Sequence, residues 1–153
     1  MADQSWLEVE DQFVLDGADY RVAGRLLARA DRATFQCLTV IPQLGGEPRM
    51  LLQLEEGVLE AREIEPEALA GPRVELDGRT FALRWDSEVR TERKAAGGPT
   101  RFGRGRCAWY AAEDGSVAVL VVERYDRDAC VGAPLAPSRI DLRFTQGLRK
   151  GRG

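Results

Sequence analysis

Residues 106–122, RCAWYAAEDGSVAVLVV, carry the clearest structural signal in the chain. Two runs rich in apolar, β-branched and aromatic residues, 106–111 and 117–122, flank Glu113-Asp114-Gly115. Such runs suit strands, and an Asp-Gly pair suits the tight turn between antiparallel strands. The segment therefore predicts a β-hairpin.

The same period of two recurs on both sides of this hairpin. Residues 20–27 and 34–41 predict a second antiparallel pair around a short polar turn. Residues 73–83 predict a third hairpin, in which Asp77-Gly78 occupies the type I′ turn that needs positive φ. Residues 138–144 alternate cleanly and predict a last strand.

Residues 50–64 permit two interpretations. Leucine, glutamate and alanine favour a helix, whereas Gly57 and the neighbouring strand signals favour two strands, which we prefer. Residues 66–72 predict one helical turn closed by Gly-Pro. We expect an all-β fold of about ten strands, either an antiparallel sandwich or two small packed β-barrel-like halves, with at most one or two short helical turns.

The chain length of 153 residues suits one domain. We expect an N-terminal segment (1–11), a single β-rich domain (12–145) and a disordered basic tail (146–153). An internal echo, LDG followed by two variable residues, an aromatic, one residue and an aliphatic, occurs at 15–22 and 76–83. It is explained either by two pseudo-repeated halves, 12–70 and 73–145, or by two unrelated Asp-Gly hairpins.

Composition excludes several functional classes. The chain has no histidine, which removes Ser-His-Asp and Cys-His triads and histidine-based zinc sites. No nucleophile stands beside a base, so we expect no catalytic residue, no enzyme activity, no metal and no cofactor. No run approaches about 18 apolar residues, so we expect no membrane insertion.

The cysteines and the N-terminus indicate the cellular compartment in which we expect the protein. Cys37, Cys107 and Cys130 are an odd number without CxxC spacing, and each lies among small or apolar neighbours. The acidic N-terminus lacks the pattern of a signal peptide. Both observations predict a cytoplasmic protein with free thiols.

Charge divides the chain into two unlike parts. Residues 1–78 carry a net charge of −9 and residues 79–153 a net charge of +6, within an overall charge of −3. Such a polarity, together with the edge strands of a β fold, would suit a protein partner, a basic face open to an anionic ligand, or pairing between copies.

Residues 94–106 hold four glycines, one proline and four basic residues, and predict a loop. Arginines around one phenylalanine, beside a Trp-Tyr pair, could hold a phosphate backbone and stack on bases. A strand rather than a helix follows the glycines, which excludes Rossmann and P-loop sites. The candidate binding patch comprises Arg101, Phe102, Arg104, Arg106, Trp109 and Tyr110. The alternative is a mobile connection with solvated arginines and two rings packed in the layers of a sandwich.

Glu123, Asp126 and Asp128 lie together after an apolar strand, in ERYDRD. Carboxylates so spaced could bind a hard cation, but interleaved Arg124 and Arg127 suit an ion-pair network, and the DxDxDG spacing of a calcium loop is absent. We favour the ion-pair interpretation.

The layout resembles a bacterial family known as domain of unknown function 4178. The resemblance covers about residues 10–145 and is carried by Gly17-x-x-Tyr20-x-Val22-x-Gly24, a strand at Phe35 to Ile41, Gly78-x-x-Phe81-x-Leu83, Trp109-Tyr110, Val121-Val122-Glu123, and Val131-Gly132 before a strand at Ile140 to Phe144. It implies a small all-β cytoplasmic domain without assigned activity, in an accessory role near membrane-stress and polyamine-synthesis proteins. It supplies no catalytic residue.

Two functions follow as expectations. The first is a non-catalytic accessory or binding module that acts through a protein partner. The second is a binder of single-stranded nucleic acid or an anionic ligand through residues 94–106.

Overall fold

The computed structural model describes residues 6–142, which form eleven β-strands. The strands are β1 (Gln12–Leu15), β2 (Ala18–Ala30), β3 (Thr34–Pro42), β4 (Arg49–Leu54), β5 (Gly57–Glu63), β6 (Arg73–Leu76), β7 (Arg79–Ala95), β8 (Arg101–Ala111), β9 (Val117–Glu123), β10 (Arg127–Pro134) and β11 (Ile140–Asp141). Helical structure in residues 6–142 consists of two three-residue 3-10 turns, Pro66–Ala68 and Pro137–Arg139, and no helix there could cross a membrane. The predicted all-β class is confirmed.

Eight of the strands close into one antiparallel barrel, in the order β2-β3-β4-β5-β10-β9-β8-β7, with β7 paired back to β2. Closure depends on the length of β2 and β7, which have 13 and 17 residues. One end of each pairs with its hairpin partner, β1 or β6, and the other end pairs with the opposite long strand. The arrangement is therefore a single closed barrel rather than a sandwich or two separate small barrels.

The two Asp-Gly turns of the internal echo occupy equivalent places in this barrel. Asp16 and Gly17 have φ of 52° and 78°, and Asp77 and Gly78 have φ of 53° and 75°. Each turn joins the first two strands of a five-strand antiparallel meander, β1–β5 or β6–β10. The two meanders meet where β2 pairs with β7 and where β5 pairs with β10. Corresponding strands thus form both seams of the barrel.

The segment 50–64 is a strand pair, β4 with β5, as preferred from the sequence. The predicted loop over 94–106 is wrong for most of its length. Strand β7 runs to Ala95 and β8 begins at Arg101, so that 96–100 alone connect them. The glycines of β8 that suggested a loop serve close approach instead, because a Cβ at Gly105 would overlap the backbone carbonyl of Val122.

Two further differences concern the last part of the chain. Strand β10 was not predicted, since its sequence RDACVGAP mixes charges, a glycine and a proline; Gly132 lies tightly against the Leu59 side chain of β5. The last strand is shorter than expected, because a 3-10 turn occupies Pro137–Arg139 before β11. Residues 143–144 of that prediction and the predicted disordered tail 146–153 lie outside the described residues.

Apolar side chains form one cluster inside the barrel and two outside it. The inner cluster includes Phe35, Val89 and Cys107, and Trp109 packs there against Trp85 with ring centroids 5.5 Å apart. One outer cluster lies beneath β1 and residues 6–11, and the other lies beneath β6 and Leu69. The inner aromatic residues fill one end of the barrel, and unfilled space remains at the other end.

Three aspartates in Asp-Gly turns have lowered pKa values. Hydrogen bonds from Arg139 lower the pKa of Asp16, and those from Arg62 lower that of Asp77. The backbone N–H of Ser116 lowers the pKa of Asp114 to about 2. All three carboxylates are therefore ionised in the folded protein at a pH where they would begin to protonate in the unfolded chain.

Acid is therefore expected to destabilise the protein through these three groups. Their contribution is complete above the unfolded pKa of about 3.9 and is lost as pH falls through the lower folded values. We expect the urea midpoint of unfolding to fall from pH 5 towards pH 2, and to fall less in the triple variant D16N/D77N/D114N. D31N, which alters an aspartate without an ion pair among the described residues, should follow the unmodified protein; equal slopes in all three proteins would contradict the assignment.

Candidate functional site

The six residues of the predicted patch lie on β8, where alternation separates them. Trp109 points into the barrel, 5.2 Å from Phe35 between ring centroids. Tyr110 points outward but is buried, and its hydroxyl donates to the carbonyl oxygen of Gly71 at 2.8 Å. Arg106 is exposed and pairs with Asp86, Nη2 to Oδ1 at 2.8 Å. The patch predicted from the sequence is therefore not one surface.

A smaller group of side chains is exposed on one surface. It includes Arg124 and Tyr125, which were not predicted as site residues. Phe102 is 76% exposed and Tyr125, in the turn between β9 and β10, is 84% exposed. Both rings border one shallow depression together with Arg101, Arg104 and Arg124. We call these five residues the aromatic–arginine patch. Tyr125 lies within the ERYDRD segment directly after Arg124, and this pairing of an arginine with an aromatic residue is the sequence signal that indicates it.

A cavity lies in the open end of the barrel. Its volume is about 410 Å³, within the range of sites that hold small molecules. Its walls are mostly apolar and come from facing strands, with side chains of Leu26, Met50, Val119, Val121, Cys37 and Cys130. Polar residues at its mouth are Thr39, Glu63, Arg93, Lys94, Arg101 and Asp128. We call this space the barrel cavity.

Sequence reasoning missed the barrel cavity for a physical reason. Alternation identifies inward positions on each strand, but the cavity forms only where the inward residues at one end are small. Gly24 and Ala95 line that end, and Gly103 nearby has no side chain, whereas large aromatic rings occupy the opposite end. The contrast between the two ends is visible only when the strands are aligned in register.

Arg93 organises the polar side of the mouth. Its Nε donates to Oε1 of Glu123 at 2.9 Å, and its Nη2 donates to Oδ2 of Asp128 at 2.5 Å. Thr91 donates its hydroxyl to the other oxygen of Glu123, whose side chain is only 9% exposed. Burial opposes the charge of Arg93, but hydrogen bonds to Asp128 and Glu123 outweigh it and raise the pKa of Arg93.

This network accounts for the carboxylates of ERYDRD. Glu123, Asp126 and Asp128 surround the guanidinium of Arg93, with Asp126 at 4.0 Å. The arginine that pairs them comes from β7 rather than from the interleaved positions. Over residues 6–142 no group of three or more cysteine or acidic side chains is arranged to hold a metal ion.

The three cysteines converge inside the barrel as free thiols. The Sγ atoms of Cys37 and Cys130 lie 3.8 Å apart, although the residues are 93 positions apart in the chain. Burial raises the pKa of Cys107 to about 12, and the hydrogen bond with Cys37, together with burial, raises that of Cys130. At neutral pH both thiols are protonated and behave as apolar wall groups rather than as nucleophiles.

Comparison with known proteins gives no match to a protein-family model, to a curated protein or to a solved structure. The resemblance to domain of unknown function 4178 stays an expectation.

Proposed function

We propose that this protein is a non-catalytic binding module whose barrel cavity holds a small molecule with an apolar body. The observation that carries the proposal is the cavity itself, about 410 Å³ with apolar walls and a polar mouth. An apolar body transferred from water into such walls gains roughly 25 cal/mol for each Å² that it buries. Convergent polar groups at a mouth would orient the ligand.

The polar groups near the cavity support binding rather than catalysis. Glu123 and Asp128 are both engaged by Arg93, and the hydroxyl of Thr91 is engaged by Glu123. Two of the three thiols are held protonated. None of these groups forms the pair of nucleophile and base that covalent catalysis needs.

The proposal is tested by titration with N-phenyl-1-naphthylamine, a neutral probe whose fluorescence rises in apolar surroundings. We expect saturable micromolar binding. Thr39→Trp, which places a large ring at the exposed mouth, should weaken binding by about tenfold or more, whereas Thr80→Trp, on an exposed position of β7 away from the cavity, should not. Absence of saturable binding, or equal affinity in both variants, would contradict the proposal.

The aromatic–arginine patch favours a second candidate function, the binding of single-stranded nucleic acid. Two exposed rings beside three arginines provide both stacking and phosphate contacts. Fluorescence anisotropy with labelled single-stranded DNA and RNA should then show salt-sensitive binding that Phe102→Ala with Tyr125→Ala removes. A protein partner, recruited in an accessory role, would instead bind at salt concentrations that abolish a nucleic-acid complex.

A further inference from the structure

The charges at the mouth of the barrel cavity are separated by side. Lys94 and Arg101 flank the turn between β7 and β8, whereas Glu63 and Asp128 lie at the ends of β5 and β10, which are paired strands. Strand β9 lies between these sides, so the mouth has a cationic side and an acidic side. A polar group on a bound molecule would therefore meet different fields on the two sides.

The cations on the β7–β8 side are not neutralised by carboxylates. Lys94 donates its Nζ to the backbone carbonyl of Gly98 at 2.6 Å, which is an uncharged partner. Among the described residues no carboxylate forms an ion pair with Lys94 or Arg101. Arg101 is exposed and also lines the cavity. The ammonium group of Lys94 and the guanidinium group of Arg101 thus border the opening, and both charges are available to a ligand.

The acidic side is different, because most of its carboxylates already form ion pairs within the protein. Asp128 and the nearby Glu123 share the guanidinium of Arg93. Glu63 has no cationic partner among residues 6–142 and faces the mouth opposite the cations. This carboxylate repels an anion that enters the cavity and attracts a cation.

We infer that the ligand of the barrel cavity is a single-chain amphiphile with an acidic head, whose apolar body lies inside the barrel and whose anionic head lies between Lys94 and Arg101. This inference rests on the proposed function and adds the chemical class of the ligand. The apolar walls contribute most of the affinity, and the cationic side sets the preference for the head group. Charge-assisted hydrogen bonds from arginine to a carboxylate are among the stronger polar contacts at a partly exposed site.

The test compares three molecules with the same chain and different heads: decanoate, decanol and decylamine. Each is titrated against the complex of the protein with N-phenyl-1-naphthylamine, and displacement of this neutral probe is measured at pH 7.5. We expect decanoate to bind about fivefold to tenfold more tightly than decanol, and decylamine to bind no more tightly than decanol. Added salt should reduce the preference for decanoate without changing decanol.

Two variants with opposite expected effects locate the preference. Arg101→Gln should remove most of the advantage of decanoate and leave decanol unchanged, whereas Glu63→Gln should increase the affinity for decanoate. Arg90→Gln, a change at an exposed position of the neighbouring strand β7 that does not line the cavity, is the matched control and should leave the order of affinities as it is.

The outcomes separate this inference from the proposed function. If all three molecules displace the probe equally, the cavity binds apolar chains and the inference about the head is overturned. The same holds if decylamine binds most tightly. If the probe and all three molecules fail to bind, the proposed function itself is overturned. A preference for decanoate that Arg101→Gln leaves intact would overturn the assignment of the cationic side.

Discussion

Replacing Gly105 by alanine is expected to destabilise the barrel by about 3 kcal/mol or more, which is a large share of the stability of a small domain. The reason is steric, because a Cβ at this position would overlap the carbonyl oxygen and carbon of Val122 on the neighbouring strand. Both atoms belong to the backbone, so relief requires β8 and β9 to move apart where they are paired. We would measure the free energy of unfolding in urea from tryptophan fluorescence.

Gly57→Ala is the matched control for this prediction. Gly57 begins β5, its φ lies outside the left-handed region, and a Cβ there would meet nothing within 4 Å. Alanine at such a position changes stability by less than about 1 kcal/mol and acts mainly on the unfolded chain. Equal losses in G105A and G57A would show that the effect is general to glycine in this fold and would refute the packing argument.

Replacing Arg93 by leucine is expected to cost about 3 kcal/mol. The substitution leaves Glu123 without its cationic partner in a place where its side chain is only 9% exposed. A buried carboxylate without a partner is strongly unfavourable, and the hydrogen bond from Thr91 replaces only part of the lost interaction. Urea unfolding at pH 7 would measure the loss.

Arg106→Leu tests the same chemistry at an exposed ion pair. Arg106 and Asp86 have side chains that are 59% and 49% exposed, and such pairs contribute about 1 kcal/mol or less. The double variant R93L/E123Q should recover part of the stability lost in R93L, because a neutral amide is less costly to leave buried than a carboxylate. A loss in R93L no greater than that in R106L would contradict the role assigned to Arg93.

Local signals were sufficient where neighbouring residues form the element. The hairpin at 106–122 and the turn at Asp77-Gly78 follow from alternation and from the positive φ that Asp-Gly accepts, and both are present. The prediction of a loop over 94–106 was wrong because it depended on glycine and arginine, which are typical of loops. There the pairing of β8 with β7 and β9 outweighed the local preference for a turn, and Gly105 allows the close approach of β9.

The candidate site could be predicted only in part. Arg101 was singled out from the sequence, and it does lie at the mouth of the barrel cavity. Trp109 and Tyr110 were grouped with it, but adjacent residues of a strand face opposite sides, and both rings are packed in separate clusters. Tyr125 and the partners of Arg93 come from other strands, and no spacing within the chain indicates their approach.

The amino-acid sequence by itself determined the all-β class, most hairpins and the inward or outward direction of side chains along each strand, because these depend on interactions between near neighbours. Only the tertiary structure decided that β2 pairs with β7, which closes one barrel instead of a sandwich. Closure also placed Arg93 beside Glu123 and left the cavity between Leu26 and Val121. These contacts join residues far apart in the chain, and they depend on the register and packing of the whole sheet rather than on any local preference.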